Sequence, residues 1–81
     1  MEMKMDKLLT DIVKSIVDLP DDVNVGVAES ENTIVYELTV GDGDLGKVIG
    51  KKGKNINAIR TLLSAANAKD GGKRAILEVI E

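Results

Sequence analysis

The first third of the chain carries an apolar stripe at helical spacing. Between Met5 and Leu19 the apolar positions recur at steps of three and four, and acids and lysines fill the positions between them. Pro20 disfavours helical geometry in the residue before it, so the pattern predicts a helix over residues 5–19. The stripe consists of Met5, Leu8, Leu9, Ile12, Val13, Ile16 and Leu19.

The apolar period then changes to two, which is typical of strands with one buried face. The alternating segments cover residues 23–29 and 33–40, and the polar residues Ser30-Glu31-Asn32 separate them. Two such segments with a short polar connection predict an antiparallel hairpin.

Helical spacing returns in the second half of the chain. A short helix is predicted over residues 43–49 and a longer one over 54–68, with Gly50-Lys51-Lys52-Gly53 between them. Alternation over residues 73–80 predicts a last strand. Asp42 or Asp44 is expected to cap the short helix as a solvated side chain.

This order of elements indicates an α+β fold in which helices cover one face of a three-stranded sheet. With 81 residues, we expect one domain over 1–81.

The composition excludes most familiar active sites. The chain has no Cys and no His, which excludes disulfides, Cys/His zinc sites, thiol nucleophiles and imidazole catalysis. No spacing argues for a paired-carboxylate cleft, so we expect no catalytic residue, no metal and no cofactor. No apolar run is as long as a membrane span, and the N-terminus alternates charges where a signal peptide would be apolar, so a cytoplasmic protein is expected.

Two glycine-rich segments suggest phosphate binding, and they differ in charge. The segment 41–46 has the G-x-G-x-x-G spacing of dinucleotide sites, but Asp42 and Asp44 would repel a pyrophosphate and the following helix breaks at Gly50. Its Asp-x-Asp spacing lacks the other ligands of a calcium loop. We therefore interpret this segment as a turn.

The second segment, Gly50-Lys51-Lys52-Gly53, is a better candidate. Glycines at both ends let a phosphodiester backbone come close to the main chain, and the helix after the segment directs free N–H groups toward an anion. Because glycine pairs at this spacing also arise by chance, the alternative is a solvated corner between two helices.

The distribution of charge favours the phosphate interpretation. The net charge is −3, yet residues 1–45 hold three bases and eleven acids, a net −8, whereas residues 46–81 hold eight bases and three acids, a net +5. The lysine-rich segment lies in the positive half, which is the local pattern that binds phosphates.

The residues around this segment resemble a known family. Val48-Ile49-Gly50-Lys51-Lys52-Gly53-Lys54-Asn55-Ile56 is similar to the I-G-x-x-G-x-x-I signature of KH domains, and the order of elements resembles their type II arrangement. The whole chain resembles the small stand-alone bacterial KH-domain proteins, which are KhpA-like. The resemblance implies that the last strand lies beside and parallel to the second, giving the sheet order first, second, third.

The resemblance also implies a mechanism. In KH domains the G-x-x-G loop holds the backbone of about four nucleotides of single-stranded nucleic acid, and the bases lie in an adjacent apolar groove. Because the apolar residues at this site have helical spacing, core packing is the alternative for them. The implied RNA-binding residues are Gly50, Lys51, Lys52 and Gly53 at the phosphates, Lys47, Lys54 and Arg60 as outer charges, and Ile49 and Ile56, with Val48 and Ile59, at the groove.

A single copy with one aromatic residue is expected to bind RNA weakly. The resemblance implies a homodimer, a larger multidomain KH-containing RNA-binding protein as partner, or both, and a role as RNA chaperone or post-transcriptional regulator. Ile76 and Ile80 are candidate contacts for such a partner. Lys73 and Arg74 either contact RNA or form a solvated strand edge. The alternative function is a protein-interaction module that docks a partner through its acidic half or its sheet face.

Overall fold

The computed structural model describes residues 5–69 and 73–80. Two single 3₁₀ turns, Pro20–Asp22 and Lys51–Gly53, lie between the regular elements. The order α-β-β-α-α-β confirms the predicted fold class. The elements are α1 (Met5–Lys14), β1 (Asn24–Glu29), β2 (Thr33–Thr39), α2 (Leu45–Ile49), α3 (Lys54–Lys69) and β3 (Arg74–Ile80).

The sheet has the order β1-β2-β3, with β1 antiparallel to β2 and β3 parallel to β2. This arrangement confirms the position implied for the last strand. Tyr36 in the central strand is opposite Val27 on one side and Leu77 on the other. Within residues 5–69 and 73–80, β3 pairs with β2 alone, so no described strand pairs with its other edge.

The core lies between the sheet and the three helices. Met5, Leu9 and Val13, one helical turn apart on α1, are buried in the same apolar cluster as Tyr36 and Leu38 of β2. The opposite face of the sheet, which no described element covers, carries Val35, Ile76 and Ile80, of which Ile76 and Ile80 are 36% and 42% exposed. The remaining buried apolar residues are Val23, Val48, Ile56, Ile59, Leu63 and Leu77.

The first helix is shorter than its apolar pattern predicts. It ends at Lys14, and the amides of Ser15 and Ile16 bond to carbonyls three residues back, as in a tightened last turn. The Ser15 hydroxyl also donates to the Asp11 carbonyl at 2.9 Å. Residues 15–19 therefore leave the helix, and the predicted end at Leu19 is wrong by five residues.

The side chain of Asp44 binds the segment that follows α1. This side chain is 1% exposed, and its two carboxylate oxygens accept hydrogen bonds from the backbone amides of Asp18 at 3.1 Å and Leu19 at 2.9 Å. Asp44 occupies the position before α2 but makes no side-chain cap bond there. The prediction of a solvated helix cap is wrong for Asp44, because its carboxylate binds a segment 25 and 26 residues earlier in the chain.

Replacing Asp44 tests this connection. Asp44→Ala is expected to lower the free energy of unfolding by about 2–4 kcal/mol, because two amides lose a charged acceptor. Asp44→Asn should lose about half as much, since an amide oxygen can replace only one of the two acceptors. Urea denaturation measures both variants.

The matched control is Asp42→Ala, two residues away and exposed, which should change stability by less than about 0.5 kcal/mol. Equal losses for the variants at positions 42 and 44 would show that the carboxylate is not the connection.

Candidate nucleic-acid interface

The Gly50-Lys51-Lys52-Gly53 segment forms the turn between α2 and α3. Gly50 ends α2 with φ +77° and ψ 172°, and its amide donates to the Gly46 carbonyl at 2.8 Å. A Cβ at Gly50 would lie 2.6 Å from Cγ and 2.8 Å from the backbone nitrogen of Asn55. Glycine is therefore required here both by the backbone angle and by the closeness of α3.

The chain reverses at the next residues. Lys52 has φ +57° and ψ 26°, the one positive φ outside glycine in the residues described, and Gly53 has φ +77°. A lysine in this left-handed region costs about 1–2 kcal/mol, which neighbouring contacts must offset. At Gly53 the nearest atom to an added Cβ is 3.6 Å away, so only the backbone angle restricts that position.

The turn leaves two backbone donors without a backbone acceptor in the described residues. The amide of Gly53 bonds to the Gly50 carbonyl and that of Lys54 to the Lys51 carbonyl. The amides of Lys51 and Lys52 have no backbone acceptor within the described part of the chain. Two amides and two exposed ammonium groups are thus available to an anion at the turn.

The outer cations of the predicted site differ in their pairing. Lys47 Nζ lies 3.2 Å from Asp18 Oδ2, so an acid of the first half of the chain partly neutralises it. Lys54 and Arg60 are exposed on α3, and neither forms an ion pair with a described acid, nor do the two lysines of the turn.

The predicted apolar residues separate into surface and core. Ile49, at the end of α2, is 37% exposed and borders the turn. Ile56 is 6% exposed and belongs to the core, as do Val48 and Ile59. Ile56 therefore supports this region from beneath and presents little surface to a ligand.

An open groove of about 610 Å³ lies between α3 and the residues 74–77 of β3. It shares Arg60 with the predicted site, and its helical side also includes Leu63, Ser64 and Asn67. The sequence did not identify Leu63, Ser64 and Asn67 as groove residues, because their spacing indicates only that they lie on a helix. No described strand pairs with β3 on that side.

Lys73 and Arg74, at the start of β3, have different surroundings. Lys73 forms an ion pair with Glu29, and its carbonyl accepts a hydrogen bond from the Asn67 side chain. Arg74 is exposed, lines the groove and forms no ion pair with a described acid. Only Arg74 of the two is free to meet a ligand in the groove.

Asn55 is a residue of the turn that sequence reasoning did not single out. Its side-chain amide donates to the Lys47 carbonyl at 2.8 Å, across the turn from α3 to α2. An Asn in the first turn of a helix suggests a local cap, and nothing in its spacing identifies a carbonyl of the preceding helix.

Other kinds of site find no support in the described residues. Within 5–69 and 73–80, no three acidic residues lie close enough together to hold a metal ion. None of the helices in these ranges has the length and hydropathy needed to cross a membrane.

Comparison with solved structures identifies the same fold in a larger protein. An Aquifex aeolicus Era variant bound to GDP·AlF4− superposes with a TM-score of 0.57 at 17% identity over 98% of this chain. Era in complex with MgGDPNP and nucleotides of 16S ribosomal RNA superposes with a TM-score of 0.64 at 19% identity over 96%. The chain spans 33% and 31% of those two proteins, and the similarity at this identity concerns the fold alone.

Curated relatives match over almost the whole chain. The RNA-binding protein KhpA of Chlamydia trachomatis is 48% identical over 95% of this chain and 97% of its own length. KhpA of Clostridium acetobutylicum is 47% identical over 94% of this chain and all of its own. The family model "KhpA/KhpB, KH domain" matches residues 6–79. With its α-β-β-α-α-β order and its Gly50 to Gly53 turn, the chain belongs to the KhpA/KhpB family of KH domains.

Proposed function

We propose that this protein binds single-stranded RNA without catalysing a reaction on it. The observation that carries the proposal is that the unpaired donors of the turn directly precede α3, and that the same helix carries Arg60, which lines the groove beside β3. The relatives named above are RNA-binding proteins, which supports the same conclusion.

The turn is proposed to hold the phosphate backbone. The free amides of Lys51 and Lys52 provide short-range donors, and their ammonium groups add mobile charges. Gly50 and Gly53 carry no side chain that would keep a phosphate at a distance. Lys54 and Arg60 extend the positive surface along α3, whereas Lys47 contributes less because Asp18 pairs with it.

The groove is proposed to accept the bases. Its volume of about 610 Å³ falls within the ~300–1,000 Å³ of small-molecule sites, and Ala68 and Ala75 contribute accessible apolar surface to its lining. The free edge of β3 offers backbone donors and acceptors to base edges. Tyr36, the single aromatic residue, is buried, so bases meet aliphatic surface and Ile49 instead of a stacking platform.

The biological role follows from the small size of this surface. A site with about three phosphate contacts binds weakly, and a second module raises the effective concentration without new contacts. We therefore propose that the protein acts in the cytoplasm as an RNA chaperone or post-transcriptional regulator. It would act as a homodimer, with a larger KH-containing RNA-binding protein, or both.

The alternative function, a module that binds protein through its sheet face, has one observation in its favour. Val35, Ile76 and Ile80 lie on the open face of the sheet, and no described element covers them. This alternative requires no RNA binding by the turn, so the variants below distinguish the two functions.

The double substitution Lys51→Asp with Lys52→Asp should abolish RNA binding and leave the melting temperature nearly unchanged. It replaces two unpaired cations with acids at exposed positions, and Asp tolerates the left-handed angles of position 52 at least as well as Lys. Fluorescence anisotropy with a labelled single-stranded RNA measures binding, and circular dichroism measures folding.

The control compares two single variants with equal charge change. Lys51→Asp should weaken binding strongly, and Lys7→Asp, on the exposed face of α1, should weaken it little. Unaltered affinity in the double variant would exclude the turn as the RNA site and favour the protein-interaction alternative.

The salt dependence of binding should report the number of phosphate contacts. With about three contacts to a single strand, the slope of log affinity against log salt is expected near −2. In Lys51→Gln the slope should be shallower, at about −1.4, because one phosphate contact is lost. A slope near zero in the wild-type protein would contradict a phosphate-binding turn.

A further inference from the structure

We infer that Asn55 is the residue that holds the Gly50 to Gly53 turn in the shape that binds RNA. That Asn55 holds the turn is inferred from its contacts in the structure. That this affects RNA binding rests on the proposed function. Asn55 is a positioning residue in this proposal, because it acts through the backbone of the turn.

The first contact is the hydrogen bond from Asn55 Nδ2 to the Lys47 carbonyl at 2.8 Å. Lys47 belongs to α2, which has only five residues, and its carbonyl is among the last four that a helix leaves without an internal partner. Asn55 belongs to α3, which has 16 residues. The bond thus fastens the end of a short helix to the start of a long one.

The second contact is the packing of Asn55 beneath Gly50. An added Cβ at Gly50 would lie 2.8 Å from Asn55 Cβ and 2.6 Å from its Cγ. The side chain therefore fills the space directly under the first residue of the turn. Asn55 therefore blocks movement of Gly50 toward α3, and its bond to Lys47 fixes the Asn55 side chain in that place.

The glycines cannot provide this restraint themselves. Gly50 and Gly53 permit positive φ angles, but glycine adopts other regions about as readily. Lys52 is held at φ +57°, which is unfavourable for a side chain with a Cβ. The backbone bonds from Gly53 to Gly50 and from Lys54 to Lys51 close the turn locally, and Asn55 is the side chain that packs under Gly50 and bonds across to α2.

The consequence for binding is preorganisation. If the turn is already in its bound shape, RNA does not meet the cost of ordering it, and the amides of Lys51 and Lys52 stay without a backbone acceptor in the described residues. Loss of Asn55 should therefore weaken binding without removing any charge that meets a phosphate.

The structural arm of the test is ¹⁵N relaxation of the full-length protein without RNA. In the wild-type protein the amides of residues 51–53 should have order parameters near ~0.85, and in Asn55→Ala they should fall below ~0.6. Asn55→Asp keeps the shape but replaces the donating amide with an acceptor, so it should loosen the turn as well.

The control for this arm is Ser64→Ala. Ser64 is an exposed polar residue of α3 about three turns after the Gly50 to Gly53 turn, and its side chain makes no hydrogen bond to a described residue. A similar change in helix propensity occurs there, so the order parameters of the turn should stay at the wild-type value. Unchanged amide spectra outside the turn show that each variant is folded.

The binding arm uses the labelled single-stranded RNA and a salt titration. Asn55→Ala should weaken binding about two- to tenfold at every salt concentration, which is the net contribution of one hydrogen bond. The salt slope should stay at the wild-type value, whereas Lys51→Gln reduces it. An unchanged slope with a lower affinity separates positioning from direct contact.

Each outcome decides the proposal. A rigid turn in both Asn55 variants overturns the structural part, and a loosened turn with unchanged affinity overturns its role in binding. A wild-type protein that binds no single-stranded RNA overturns the proposed function and the binding role with it. The relaxation measurement decides in either case whether Asn55 holds the turn.

Discussion

The structure depends on one buried carboxylate. Asp44 bonds the amides of residues 18 and 19, and thereby joins the segment after α1 to the residue that precedes α2. Asp18 also pairs with Lys47, whose carbonyl is bonded by Asn55 under the turn. A series of polar contacts therefore leads from the end of α1 to the proposed phosphate site. Because a small domain has a small apolar core, polar contacts of this kind help to orient α2 relative to the segment that follows α1.

Contacts between distant segments also determine which charged side chains are paired. Along the chain the acidic and basic halves separate, but the fold brings Asp18 to Lys47 and Glu29 to Lys73. These exposed pairs contribute little to stability, yet they determine which cations remain available. No ion pair with a described acid is formed by Lys51 and Lys52 on the turn, by Lys54 and Arg60 on α3, or by Arg74 on β3. Arg60 and Arg74 line the groove.

Much of the fold could be predicted because its signals are local. The alternation in β2 and the stripe of α3 place Tyr36, Leu38 and Ile59 in the core, as periodicity requires. The end of α1 and the role of Asp44 could not be predicted, since helical spacing continues to Leu19 and an Asp before a helix ordinarily caps it. In both cases a contact between distant segments prevailed over a local preference.

The sequence by itself determined the order of the elements, the placing of two glycines around the turn and the concentration of lysines there. Those features follow from backbone angles, apolar period and residue type, which are properties of neighbouring residues. Only the tertiary structure decided that Asp44 is buried and that Asp18 forms an ion pair with Lys47. It also decided that Asn55 bonds across the turn and that a groove lies between α3 and β3. These depend on which distant segments meet, and no local pattern records that.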